Sequence, residues 1–374
     1  MKRKEFLELA GLALAGSLTP GRRAAAALAS AGAAGGCRVD AKIYEVRLKH
    51  AWTLSRGTWT TRRNVLVRIE KDGVFGLGES APIARYNESA ESGLAFIEKA
   101  KPLLQKDLWA FHDLWNGIDA LAPGEHAAKA ALDMAVLDWI GKTLGVPLYR
   151  SLGLGKDRDL VTTFTIGIDE VAIMQEKVKE AADFAVYKIK VGTDDDRKIL
   201  EGIRAVTDKP LRVDANEGWK TKEKALDMIR WMAGLGVEIM EQPMPADRFE
   251  DIAWLKERSP IPIFADESLM IAADLPRIAG AFHGVNVKLM KCGGIQEAVR
   301  IAAIARAMGL KLMLGCMIET SIGISAGAAV APLFDYLDLD GNVLITNDPF
   351  RGVRTEKGCL ILNDRPGLGV EGEF

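Results

Sequence analysis

Cysteine and histidine are scarce in this chain, with four of each among 374 residues. Cys37, Cys292, Cys316 and Cys359 contain no CxxC pair and do not cluster with histidine, which excludes zinc-finger and disulfide-scaffold readings. His50, His112, His126 and His283 form no HExxH motif, so the chain is not a zincin. An excess of either charge is missing too: 49 Lys+Arg stand against 51 Asp+Glu, a formal net charge of -2. That balance gives no reason to expect nucleic acid or an acidic membrane as a partner. The apolar stretch at residues 7–18 is too short to span a bilayer.

That stretch follows basic residues 1–4 and precedes an Ala/Gly-rich run to Gly36, which is the order of a secretory leader. RKEFL at residues 3–7 resembles a twin-arginine export signal whose second arginine is Lys4. The expectation is an exported, periplasmic protein with a leader over residues 1–36, and cytoplasmic location is the alternative if the leader does not function. Cys37, after Ala34-Gly35-Gly36, is a candidate lipid-attachment point.

Residues 38–90 alternate apolar and polar as strands do, with Lys71-Asp72-Gly73 as a hairpin turn. ESGLAFIEKAKPLL and AAKAALDMAVLDWIGKTLG then place apolar residues at i, i+3, i+4 and i+7, as helices do. Strands followed by helices predict a separate α+β domain over residues 37–155. From about residue 160 a repeat sets in of short apolar run, polar end, then helix. TTFTIGI, VYKIKVG, LRVDANE, VEIMEQP, IPIFADES, GVNVKLMK, KLMLGCM and YLDLDG make eight runs. Runs that turn polar only at their C-terminal ends predict buried parallel strands of a (β/α)7β barrel over residues 156–345, with its chemistry at that rim. Residues 346–374 have no ninth unit to build and are expected to return to the first domain.

Three acids stand at successive run ends: Asp214 in RVDAN, Glu241 in MEQP and Asp266 in FADES. They are spaced by 27 and 25 residues, about one βα unit, so one acid per strand converges on a common point. Oxygen-only ligands favour Mg²⁺, or Mn²⁺, over zinc. Lys188 and Lys190 lie at i and i+2 on one strand face, pointing inward while Ile189 packs outward. Desolvation and mutual repulsion should lower a lysine pKa from about 10.4 towards neutrality and make a general base. A lysine pair that binds phosphate or carboxylate is the competing reading. Lys288 on the sixth run is four places from the second, across an eight-stranded barrel. Lys190 and Lys288 then face each other and serve opposite faces of one carbon. Lys291 should point away, as a loop or structural lysine. An α-proton beside a carboxylate is too weakly acidic for an amine unless a cation stabilises the enediolate that forms.

Lys188-x-Lys190, Asp214, Glu241, Asp266-Glu267 and Lys288, in that order, resemble the enolase superfamily in its muconate-lactonizing subgroup. The resemblance covers nearly all of residues 38–374. Asp338-Leu339-Asp340 is similar to the DxD motif by which dipeptide epimerases of the L-Ala-D/L-Glu type hold a substrate ammonium group. The segment containing Met317-Ile318-Glu319-Thr320 also looks like that family, and the resemblance places Glu319 and Thr165 near the substrate. It further implies that residues 52–63, carrying Arg56, Arg62 and Arg63, form a mobile loop over the substrate side chain. Relatives acting on Ala-Glu have an arginine there. Arg56 is the nearest candidate, with Gly57 at the expected place.

The resemblance implies a Mg²⁺-dependent dipeptide epimerase, an isomerase inverting the α-carbon of the C-terminal residue. In it Asp214, Glu241 and Asp266 hold the metal, Lys190 and Lys288 are the acid/base pair, and Lys188 tunes Lys190. A homo-oligomer is expected. A cycloisomerase or o-succinylbenzoate synthase using the same site is one alternative, and a non-catalytic exported peptide-binding protein is another.

Overall fold

The computed structural model describes residues 35–374. The leader reading falls, except for Gly35 and Gly36, outside the described residues. Cys37 is buried against the core of the first domain, so a lipid on its sulfur has to displace that packing. Among the described residues no helix is long and apolar enough to cross a membrane.

The chain first forms an antiparallel meander of β1 (Arg38–Leu54), β2 (Gly57–Lys71) and β3 (Val74–Ser80). Asp72 and Gly73 join β2 to β3 with φ of 54° and 75°, the positive values that a two-residue hairpin turn requires. Helices α1 (Ala90–Ala100), α2 (Phe111–Asp119) and α3 (His126–Leu144) follow. α2 adds a helix beyond the two that periodicity marks. α3 is buried on every side, which suits its run of alanines. The sheet lies against it so closely that a Cβ on Gly78 would sit 1.9 Å from the carbonyl oxygen of Ala131. Only glycine permits that approach.

Eight parallel strands make the second layer: β4 (Phe164–Ile166), β5 (Tyr187–Lys190), β6 (Leu211–Asp214), β7 (Val237–Glu241), β8 (Ile263–Ala265), β9 (Gly284–Lys288), β10 (Lys311–Gly315) and β11 (Tyr336–Asp338). They pair in chain order, and a bridge from Thr162 to Leu337 brings the last strand back beside the first. Each expected run holds one strand. Seven helices connect them: α4 (Val171–Glu180), α5 (Asp196–Arg204), α6 (Lys222–Gly234), α7 (Phe249–Lys256), α8 (Leu275–Ala281), α9 (Ile295–Ala307) and α10 (Ser321–Val330). Ile239 and Phe264, two residues before Glu241 and Asp266 and on the same faces, join Met313 in an apolar cluster below those acids.

Two buried acids of the first domain fix it to the barrel. Asp133 on α3 accepts hydrogen bonds from Ile295 N (2.6 Å) and Gln296 N (3.2 Å) at the start of α9. Glu79 on β3 accepts from Thr320 N (2.9 Å) and Gly323 N (3.0 Å) at the start of α10. Each carboxylate satisfies amides that the helix itself leaves unpaired and lies at the positive end of its dipole. The final segment touches the first domain again: Arg47 N donates to Asn347 Oδ1 (2.8 Å) and Leu368 N to Asp138 Oδ1 (2.7 Å).

Gly78→Ala should lower unfolding free energy by about 1–3 kcal/mol in urea titrations, because backbone must shift on both sides of the contact. Gly280→Ala, in α8 with open space around it, should be neutral or stabilising. Equal effects of the two substitutions would refute the close approach of sheet and helix.

Candidate active site

A cavity of about 390 Å³ opens at the C-terminal ends of the barrel strands, roofed by the tip of the β1–β2 hairpin. On its floor, one carboxylate oxygen from each of Asp214, Glu241 and Asp266 lies within 4.8 Å of the others, and all three residues are buried. Strand register explains the meeting. Asp214 pairs directly with Glu241, while Glu241 pairs with Phe264, two residues before Asp266 on the same face. Amide groups fix one oxygen each of Asp214 and Glu241 and anchor the backbone of Asp266. Asn216 N donates to Asp214 Oδ1 (2.9 Å), Asn286 Nδ2 to Glu241 Oε1 (2.8 Å), and Asp266 N to Gln242 Oε1 (3.0 Å).

The lysines lie among these acids. Lys190 Nζ donates to Asp214 Oδ2 (2.6 Å) and Lys288 Nζ to Asp266 Oδ2 (2.8 Å). Lys188 Nζ touches Asp338 (2.7 Å), Glu241 (2.9 Å) and Asp214 (3.2 Å). β5 and β9 are four strands apart in an order of eight, so Lys190 and Lys288 approach the floor from opposite sides of the barrel. Ile189 packs in the outer core, as strand alternation requires.

The acids around Lys188 and Lys288 hold both amines in the charged form. Burial does oppose the charge on Lys188, but Asp338, Glu241 and Asp214 outweigh it and hold the amine well above the usual range. Burial likewise opposes Lys288, and Asp266 overrides it in the same direction. At Lys288 the repulsion from Lys188 is smaller than the attraction of Asp266.

The residues fit a hard divalent cation. Asn216 Oδ1 and Glu267 Oε2 are buried with no hydrogen donor, an arrangement that leaves oxygen lone pairs free beside the acid cluster. Lys291 Nζ is 2.6 Å from Asp266 Oδ1 but is not aligned to donate to it. That lysine is structural, as expected, but it does not point away: its Nζ reaches Asp266. The chain leaves the strand after Lys288 for one helical turn, Leu289–Cys292, so the alternation of a strand no longer applies. Lys291 donates to the carbonyl oxygens of Asp266 (2.5 Å), Leu269 (3.1 Å) and Asn286 (3.2 Å), and so pins the loop that carries a metal-ligand candidate.

Asp338 and Asp340 both line the cavity. Asp338 is engaged: Thr163 Oγ1 (2.5 Å) and Thr165 Oγ1 (3.2 Å) donate to its Oδ1, and Lys188 to its Oδ2. Thr165 N donates to Asp340 Oδ2 (2.6 Å), which fixes that carboxylate at the wall. Burial and the charge of Asp338 push Asp340 up, whereas Lys188 holds Asp338 down against its own burial.

Two expected substrate contacts are placed differently. Glu319 is not among the cavity-lining residues. Its Oε1 accepts from Met317 N (2.7 Å) behind the wall, and burial, then the charge of Glu79, push its carboxyl up to about 8. Arg56 reaches the cavity, but its Nη1 is engaged by Glu267 (2.7 Å), Glu217 (3.2 Å) and the carbonyl oxygen of Asn216 (3.2 Å). The segment expected as a mobile loop forms the end of an antiparallel ribbon, with Leu54 and Gly57 paired at its tip beyond a register shift between Arg47 and Trp52. Trp52, Trp59 and Tyr86, which also line the cavity, carry no motif by which sequence reasoning finds them.

Comparison with known proteins agrees with this geometry. Residues 38–153 match the mandelate racemase / muconate lactonizing enzyme N-terminal domain, and residues 171–373 match the enolase C-terminal domain-like family. The chain is 45% identical over 328 residues to an L-Ala-D/L-Glu epimerase of Bacteroides thetaiotaomicron, covering 87% of this chain and 86% of that protein. It is 47% identical over 332 residues to an L-Ala-D/L-amino acid epimerase of Pedosphaera parvula, covering 86% of this chain and 95% of the relative. The crystal structure of the Enterococcus faecalis dipeptide epimerase with Mg and L-Leu-L-Tyr superposes with a TM-score of 0.85 at 33% identity, covering 90% and 99% of the two chains. With both domains matched and relatives this similar along most of its length, the chain belongs to the mandelate racemase / muconate lactonizing enzyme family of the enolase superfamily.

Proposed function

We propose that this protein is a Mg²⁺-dependent dipeptide epimerase that moves a proton on and off the α-carbon of the C-terminal residue. The observation that carries this reading is the pair Lys190 and Lys288, on strands four places apart and flanking three convergent acids, with Asp338 and Asp340 beside them.

Asp214, Glu241 and Asp266 would hold the ion, whose positive charge acidifies a C–H bond next to a bound carboxylate. Lys190 and Lys288 supply the proton chemistry. One, as the neutral amine, takes the α-proton; the other, as the ammonium, returns a proton to the opposite face, and the two exchange protonation states in each inversion. Acids engaged by a cation no longer hold the lysines protonated, and the burial of both amines then favours the neutral form. Lys188 stays with Asp338, a positioning role that keeps that carboxylate ionised at the wall. Asp340 and Asp338 converge on the ammonium group of the dipeptide, and the Thr165 amide holds Asp340 in place.

Incubation of L-Ala-L-Glu or L-Ala-L-Leu in D₂O with Mg²⁺ should place deuterium at the α-carbon of the second residue. In Lys190→Met or Lys288→Met, inversion should fall by at least about a hundredfold. Each variant should still exchange the one epimer whose proton faces the lysine that remains. Equal exchange of both epimers in either variant would rule out a two-sided pair. Asp340→Asn should raise KM for dipeptides about tenfold or more, the scale of one lost charge-assisted contact. Unchanged KM would remove Asp340 from the ammonium site.

Mg²⁺ at about a hundred times its Kd should add about 2.7 kcal/mol of stability. Differential scanning calorimetry should therefore show a higher Tm with Mg²⁺ for the native chain and a much smaller shift for Glu241→Gln. An equal shift in the two would remove Glu241 from the metal site.

A further inference from the structure

Two loops of the first domain end on one carboxylate of the barrel. Glu217 lies between β6 and α6, where Asn216 and Glu217 both take left-handed backbone, with φ of 44° and 67°. Adjacent non-glycine residues in that region persist only where their surroundings hold them. Arg85, on the single turn Ala84–Tyr86 after β3, donates to Glu217 Oε2 through Nε (2.9 Å) and to Oε1 through Nη2 (2.9 Å). Arg56, at the hairpin tip, donates from Nη1 to Glu217 Oε2 (3.2 Å) and to Glu267 Oε1 (2.7 Å). Ala246 N, in the loop after β7, donates to Glu217 Oε1 as well (2.9 Å). The Glu217 side chain is 12% exposed and does not line the cavity, whereas both arginines do. Burial opposes its charge, and Arg85 outweighs burial, so the carboxyl stays below its ordinary range.

A lone surface ion pair contributes little, but a bidentate guanidinium on a nearly buried carboxylate is directional and charge-assisted. Glu267 pairs with Arg56 and not with Arg85, so Glu217 is the carboxylate common to both among the described residues. The two arginines come from separate segments of the first domain, and each segment overhangs the acid floor. We propose that Glu217 is a positioning residue that fastens both segments over the cavity, through Arg56 and Arg85, and so sets how firmly a bound dipeptide is retained. The effect on the dipeptide rests on the epimerase reading; the fastening does not.

Hydrogen exchange read by mass spectrometry compares the native chain with Glu217→Gln, which keeps the shape and removes the charge. Amides of residues 53–58 at the hairpin tip and 83–86 after β3 should exchange about tenfold faster, the scale of one charge-assisted hydrogen bond. Amides of residues 65–69, in the core of the same sheet, should keep their rates and report a folded variant. With L-Ala-L-Leu in D₂O and Mg²⁺, KM should rise about tenfold while kcat holds within about threefold, the pattern of weaker retention with the chemistry intact. Arg85→Met combined with Glu217→Gln should raise KM no further than the larger single change, because the two residues act as one unit. Unchanged exchange at 53–58 and 83–86, additive effects in the double variant, or a fall in kcat with KM kept overturns the assignment. Faster exchange at 65–69 also overturns it, since Glu217 would then hold the fold and not the roof. If the native chain inverts no dipeptide, the epimerase reading fails, and hydrogen exchange still decides the role of Glu217.

Discussion

Three carboxylates gathered within 4.8 Å in a buried site repel one another, and the rest of the barrel mouth is arranged around that repulsion. At an effective dielectric of about 20, each pair of full charges at that separation costs at least about 3 kcal/mol. Lys188, Lys190, Lys288 and Lys291 answer it from three sides, each on a different carboxylate or on the loop that carries one. A cation of charge two between the acids answers it more directly, and frees the lysines for proton transfer. The same electrostatic demand thus links metal affinity to base strength, because whatever engages the acids decides how tightly the amines hold their protons.

The site also depends on how the first domain is seated. Glu79 and Asp133 are carboxylates with almost no exposure, and both end on amides at the start of barrel helices. These contacts set the angle of the three-stranded sheet, and the sheet carries the hairpin whose tip closes the cavity. Ser55 and Arg56 at that tip reach the carbonyl oxygen of Asn216, and Thr53 accepts from Ile168 N, so the roof is tied to the loops after β6 and β4. A roof held at several points preorganises the pocket above the acids. Trp52 and Trp59 give that pocket an apolar lining.

Much of this was legible in the chain because it depends on local period. Strand runs that turn polar at one end, acids one βα unit apart and lysines at i and i+2 each state a direction that the backbone has to follow. The cases that sequence misjudged share a cause. Lys291 was judged by strand alternation, which ends where the backbone turns helical. Glu319 was placed with the substrate, although burial beside Glu79 puts it behind the wall.

The sequence by itself determined the order of strands and helices, the inward face of each strand, and the residue types able to meet at the rim, since periodicity and covalent spacing leave no other choice. Tertiary structure alone decided which charges pair. Arg56, Arg62 and Arg85 are chemically equivalent as letters, yet Glu217 and Glu267, more than a hundred residues further along, engage two of them and leave the third facing the cavity. Pairing energy depends on distance and desolvation in space, and neither is written in the neighbourhood of a residue along the chain.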